Sequence, residues 1–314
     1  MKITPRSDVI RRQHSGNHYP RPFAQAMNPA NWRPVLYLLI SLVLAALLWL
    51  PVETRAADPI SMGVVEAIGM GTVDRTRFKN RVQAKIMARR AAVVDGQRNL
   101  LEVIEGVRVT SGTTVKDAQL ESDVIANRLK GFLQGAYTTN ENVIEEDGEF
   151  LVELTMRVCL NASTPECRGK QSLGTIIKES LPETPADEVF TPEPETLEQE
   201  TAQLNTPVTG LIVDMTNMDF NPFFDVRLVT ESGKEVYGPG SINTQGDWLH
   251  WSDSIPEASS NTGLIGSAPL TLVPARTTPE EDIVLSPEDA NRLYAANNAN
   301  GDFLSQGKVV FVLK

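Results

Sequence analysis

One stretch limits what this chain can fold into: residues 78–110, FKNRVQAKIMARRAAVVDGQRNLLEVIEGVRVT. Val82, Ile86, Val93, Leu100 and Ile104 fall within about 40° of one another at 100° per residue, which predicts one long helix with an apolar stripe. A second face carries Ala84, Ala88, Ala91 and Ala92, small residues that favour helix and admit a close neighbour. Two such faces predict a helix covered on more than one side, its aliphatic stripe on a sheet and its alanines on another packed element. Gly106 ends it, and the β-branched run from Val107 to Lys116 predicts a strand.

Upstream, residues 1–34 are basic, with Lys2, Arg6, Arg11, Arg12, Arg21 and Arg33. The apolar run Val35–Leu50 and the small residues Thr54 and Ala56 follow. This order predicts a secretory signal cleaved near Ala56 or Ala57; the alternative is a retained inner-membrane anchor at Val35–Leu50. Met27 is a second candidate start. Without residues 1–56 the chain holds 22 Lys/Arg against 38 Asp/Glu, net −16, which argues against nucleic-acid partners and anionic membranes.

The exported part opens with a strand candidate, Met62 to Val73. Gly69-Met70-Gly71 imitates a dinucleotide fingerprint, but Asp74 stands at the third glycine and no βαβ repeat supports it. Past the long helix, Leu120 to Leu133 predicts a helix with Leu120, Val124, Leu129 and Leu133 on one stripe. Ala136 to Glu145 and Glu149 to Leu160 predict a hairpin turning at Asp147-Gly148. The fold class is therefore α+β: a β-α-β-α-β-β sandwich over residues 58–165, after a lead and signal over 1–57. The helix centre AKIMARRAAVVDGQRNLLEV, with Asp95 and Arg98-Asn99-Leu100-Leu101, and Gly131 with Gly135-Ala136 ahead of the hairpin, resembles the amino-terminal domain of flagellar assembly protein T and the lipoprotein-20 family. That resemblance covers about residues 60–160. It implies a bacterial envelope protein, in ring-like or surface assemblies, with no catalytic residues to carry over.

Cys159 and Cys167 flank a Pro-containing loop, and in an exported chain this predicts a disulfide contributing about 2.5 kcal/mol. Residues 166–207, rich in Pro and Glu, read as an extended acidic linker. A second, mainly β domain with a short helix follows over 208–314. Its strands are Gly210 to Met215, Phe224 to Val229 paired with Glu235 to Tyr237 across Ser232-Gly233-Lys234, Leu270 to Pro274, Asp282 to Leu285 and Lys308 to Leu313. Ser286 caps its helix at Pro287.

No catalytic, cofactor or metal residues are assigned. His250, beside Trp248 and Trp251, is the single histidine past residue 56, so any histidine-based catalysis must use it. The two tryptophans offer faces for sugar stacking and Asp247 or Asp253 offers hydroxyl contacts, so Trp248, His250 and Trp251 are candidate glycan contacts. Asp214, Asp219 and Asp225 lack the glycine-turned loop of an EF-hand. The expected function is non-enzymatic: a periplasmic or envelope protein with a structural or assembly role, partnered by other envelope proteins or by itself, with peptidoglycan or outer-membrane association also compatible. The alternative is a peptidoglycan-binding protein or hydrolase using the second domain.

Overall fold

A computed structural model describes residues 58–146, 149–204, 206–243 and 248–314. The expected signal or anchor at Val35–Leu50, the Asp147-Gly148 turn and Asp247 lie outside them. Among the described residues no helix is long and apolar enough to cross a membrane.

The described residues are mixed α/β with three sheets. Asp58 caps a short helix, α1 (Pro59–Met62), ahead of strand β1 (Val64–Asp74). The long helix α2 (Arg81–Glu105) starts at Asn80, whose side chain accepts from the Val82 N–H, and stops at Gly106. Helices α3 (Val115–Glu121) and α4 (Asp123–Gln134) lead to the antiparallel strands β2 (Tyr137–Glu146) and β3 (Glu149–Cys159). The sheet order is β1-β3-β2, and Phe150, Val152, Leu154, Met156 and Val158 of β3 are buried, one face of the strand.

Two expectations fail here for local reasons. Residues 107–116 form no strand. The Thr110 hydroxyl accepts from the N–H groups of Gly112 and Thr113, and this closes a tight turn. The helix expected from Leu120 to Leu133 is broken at Ser122, which caps α4 through the Ile125 N–H. The break changes the helical register, so Leu120 and Val124 face water while Ile125, Leu129, Phe132 and Leu133 are buried.

Residues 166–207 are not an extended spacer. Ser172 caps α5 (Leu173–Lys178), whose Leu173, Ile176 and Ile177 join the main core. Phe190 N–H donates to the Glu235 carbonyl and Glu235 N–H to the Glu188 carbonyl, so Glu188–Phe190 lies along a sheet edge. Helix α6 (Pro194–Gln203) follows, with no buried residue. Leu173, Ile176 and Ile177 dock the first part of residues 166–207 and backbone pairing with Glu235 its middle, and an averaged composition shows neither.

The carboxy-terminal part is mostly β. Strands β4 (Leu211–Asp214), β7 (Trp251–Ser252), β8 (Leu270–Leu272) and β11 (Val309–Val312) form a parallel sheet in the order β7-β11-β4-β8. Strands β5 (Leu228–Val229), β6 (Glu235–Tyr237), β9 (Arg276–Thr277) and β10 (Ile283–Val284) form a mixed sheet, β6-β5-β10-β9. Helices α7 (Ile255–Ser260) and α8 (Thr262–Ile265) cover one face of the parallel sheet, and α9 (Pro287–Ala299) begins at Ser286, which caps the Asp289 N–H.

Arg108, in the turn after α2, joins the two ends of the chain. It donates to the Asn221 carbonyl at 2.9 Å and to Glu281 at 2.7 Å, and lies over the Phe223 ring.

Candidate interaction surface

The packing of α2 on β1 decides which side chains reach the surface. Ala84, Ala88, Ala92 and Gly96 are buried against the strand. Opposite them stand Gly69 and Gly71. A Cβ at Gly69 would lie 2.1 Å from the Ala92 carbonyl oxygen, and one at Gly71 2.1 Å from that of Ala88. Helix backbone therefore rests on strand backbone, an approach open to glycine alone. This is the role of the Gly69-Met70-Gly71 sequence.

The expected orientation of α2 is thus corrected. The alanine ridge is the inner face over the first half of the helix. Of the predicted apolar stripe, Leu100 and Ile104 are fully buried and Val93 is half-buried, but Val82 is 63% exposed and Ile86 46%. Ala91, grouped with the inner alanines on sequence grounds, is exposed. The reason is size. A contact this close selects the smallest side chains, and the branched ones turn outward.

The outer edge of β1 completes the surface. Met70 N–H donates to Asp95 Oδ2 at 2.9 Å, and Asn99 Nδ2 donates to the Ile68 carbonyl at 2.8 Å. Two side chains one helical turn apart on α2 therefore occupy backbone groups at the edge. Above them runs a shallow groove lined by Met70, Met87, Ala91, Val94, Arg90 and Arg98, with Asp95 at its base. Met70 is 53% exposed, Val94 56% and Met87 38%. Arg90 and Arg98 are exposed and, among the described residues, unpaired, whereas Arg89 pairs with Glu141 and Arg81 with Glu145 across to β2.

The expected sites fall elsewhere. Cys159 and Cys167 are bonded to each other and buried. Trp248, His250 and Trp251 are 1%, 6% and 6% exposed. The Trp251 ring packs on Phe311 at 5.2 Å and on Phe220 at 6.2 Å, and the Tyr237 hydroxyl donates to the Trp248 carbonyl. Buried rings offer no face to a sugar, so the candidate glycan contacts are withdrawn. Burial also pushes the Tyr237 phenol far above its usual pKa. Asp214 accepts from Thr216 and Asp225 from Arg227, each within its own turn or ion pair. Among the described residues no three His, Cys, Asp or Glu side chains converge as metal ligands.

A second cluster went unnoticed in the sequence. The Arg227 guanidinium donates to Asp225 at 2.8 Å, to Glu235 at 2.7 Å, to the Thr184 hydroxyl at 2.5 Å and to the Pro182 carbonyl at 3.1 Å. Burial opposes its charge, but Asp225 and Glu235 outweigh burial and raise its pKa. Asp282 is raised by burial, with the Arg227 charge opposing and the nearby Asp225, Glu280 and Glu235 adding to the rise. The cluster ties residues 182–184 to the mixed sheet.

No curated protein matches the chain. The resemblance of residues 60–160 to flagellar assembly protein T and lipoprotein-20 is overturned by the family comparison, which matches a different family over a different stretch. Residues 210–314, the part built on the parallel and mixed sheets, are similar to the family described as Treponema pallidum Tp0624, second domain.

Proposed function

We propose that this protein is an exported component of a bacterial cell envelope that performs no chemistry and acts through protein–protein contacts made by the outer face of α2 and the groove beside β1. The observation that carries the reading is the group of exposed Met70, Met87 and Val94 beside Arg90 and Arg98, which are unpaired among the described residues. Methionine and arginine are enriched at protein interfaces, and apolar side chains grouped at a surface mark interaction sites where singly scattered ones do not. The charged lead, apolar run and small residues of 1–57 support export. The Cys159–Cys167 bond fits an oxidising compartment, and the similarity of 210–314 to a domain of a bacterial protein fits the envelope of such a cell.

The test places a photo-crosslinking amino acid at Val94 of the full chain in its own cell, with Glu231, exposed in the turn between β5 and β6, as control. A discrete crosslinked species from Val94 and none from Glu231 is expected. No species from Val94 would defeat the reading. Amino-terminal sequencing of the recovered protein is expected to begin near Ala57 or Asp58.

A further inference from the structure

We propose that the groove beside β1 receives an acidic amphipathic helix of a partner protein, an inference that rests on the reading of this face as a protein contact. Three observations select that occupant.

The first is charge. From Lys79 to Arg98 the chain carries six Lys/Arg and one acid, Asp95, in a molecule of net charge −11. Asp95 is already engaged by the Met70 N–H and lies 3.4 Å from Asn99 Nδ2. Those donors are neutral and Asp95 keeps its charge, so the groove sets Arg90 and Arg98 against one carboxylate, and the two arginines are the charges open to an acidic partner. Eight residues separate them, about 12 Å along the helix axis. A partner helix meets both with acidic residues two turns apart, at i and i+7 or i+8.

The second is shape. Ala91 sits between the arginines, and a small residue at a helix crossing lets axes approach to about 8–10 Å. Met70 and Met87 flank it, flexible side chains that mould to irregular apolar surfaces. The row Met87, Ala91, Val94 repeats at helical spacing, so it faces an i, i+3/i+4, i+7 stripe on the partner.

The third is the strand edge. An extended peptide adding to β1 needs the Met70 N–H and the Ile68 carbonyl, and Asp95 and Asn99 hold both. Strand addition is blocked at the middle of the groove, and a helix, which brings its own backbone hydrogen bonds, is not affected.

The test pans a display library of randomised peptides, half built on a helical scaffold and half extended, against the full chain, and repeats the binding with the exposed double variant Arg90→Glu/Arg98→Glu. Enrichment of helical binders with an apolar stripe and Asp or Glu two turns apart is expected, with affinity falling at least tenfold in the double variant and with rising salt. Enrichment of extended or basic peptides would overturn the proposal, as would affinity unchanged in the double variant. So would a face that engages only phosphatidylglycerol vesicles or only a second copy of the chain. Crosslinking at Val94 without helical acidic binders removes this partner chemistry and leaves the contact reading standing; absence of crosslinking removes both.

Discussion

The two ends of the molecule bury their sheets differently. In residues 210–314 the parallel sheet is covered on both sides. Leu211, Val213, Val309 and Phe311 face the main core, and Ile212, Val310 and Val312 face a second cluster with Ala258 and Ile265. In residues 58–160 a three-stranded antiparallel sheet is covered by one helix at backbone distance. Of thirteen large apolar side chains left exposed among the described residues, eleven precede residue 150 and one, Val273, lies in 210–314. Two-sided burial is the ordinary state of a parallel sheet, and it leaves few apolar side chains to meet a partner. The one-sided arrangement keeps them outside. The part of the molecule that is similar to a known domain is therefore its better-covered part, and most of the exposed apolar side chains lie on the other.

The sharpest way to break this comparison is Gly71→Val. Its Cβ would meet the Ala88 carbonyl, a backbone atom that yields only if the helix lifts. We expect a loss of 3 kcal/mol or more, about the upper range of overpacking, read by thermal unfolding. Val94→Ala, on the outer face, is expected to stay within about 0.5 kcal/mol of the parent. Equal effects would mean that α2 is packed on both sides, as its sequence first implies.

Arg227→Ala probes the better-covered end. It leaves Glu235, 5% exposed, without its cation, and removing one partner of a buried pair typically costs about 3–5 kcal/mol. Arg227 is itself partly exposed, so the lower end is expected. Limited proteolysis is the second readout. The variant is expected to be cut between 179 and 193 faster than the parent, because the guanidinium holds Thr184 and Pro182.

The smallest effect concerns pH. Asp282 has a raised folded-state pKa, mainly from burial. A raised acid contributes stability below its unfolded pKa, about 3.9, and loses it as pH rises through the folded value. Asp282→Asn should therefore melt slightly higher than the parent at pH 7. The gap should close toward pH 4. A gap that persists below pH 4 would mean that the substitution acts through packing instead.

Much of this architecture was legible from residue order. Periodicity located α2, β-rich runs the β2–β3 pair and six strands of 210–314, and Ser286-Pro287 the start of α9. The facing of α2 was not, because an apolar stripe ranks residues by hydrophobicity and this contact ranks them by size. The usable signal was there: Ala84, Ala88, Ala92 and Gly96 at strict i+4 spacing, matched by Gly69 and Gly71 two apart on a strand. The Trp248–Trp251 segment misled in the opposite sense, since aromatic residues beside aspartates read alike whether they are core or binding surface. Strands of two residues such as β7 and β9 carry no pattern, and their partners are set by pairings remote in the chain.

The hold of Arg227 on residues 182–184 has a consequence for the order in which the chain takes shape. A polypeptide delivered from its amino end presents residues 182–190 well before Arg227 and Glu235 arrive to bind them. Until residue 237 has emerged, that acidic, proline-punctuated stretch has no sheet edge to lie against, because its backbone partner is Glu235. The strap therefore docks only after β5 and β6 exist, although it precedes both in the chain, and β11, later still, completes the parallel sheet.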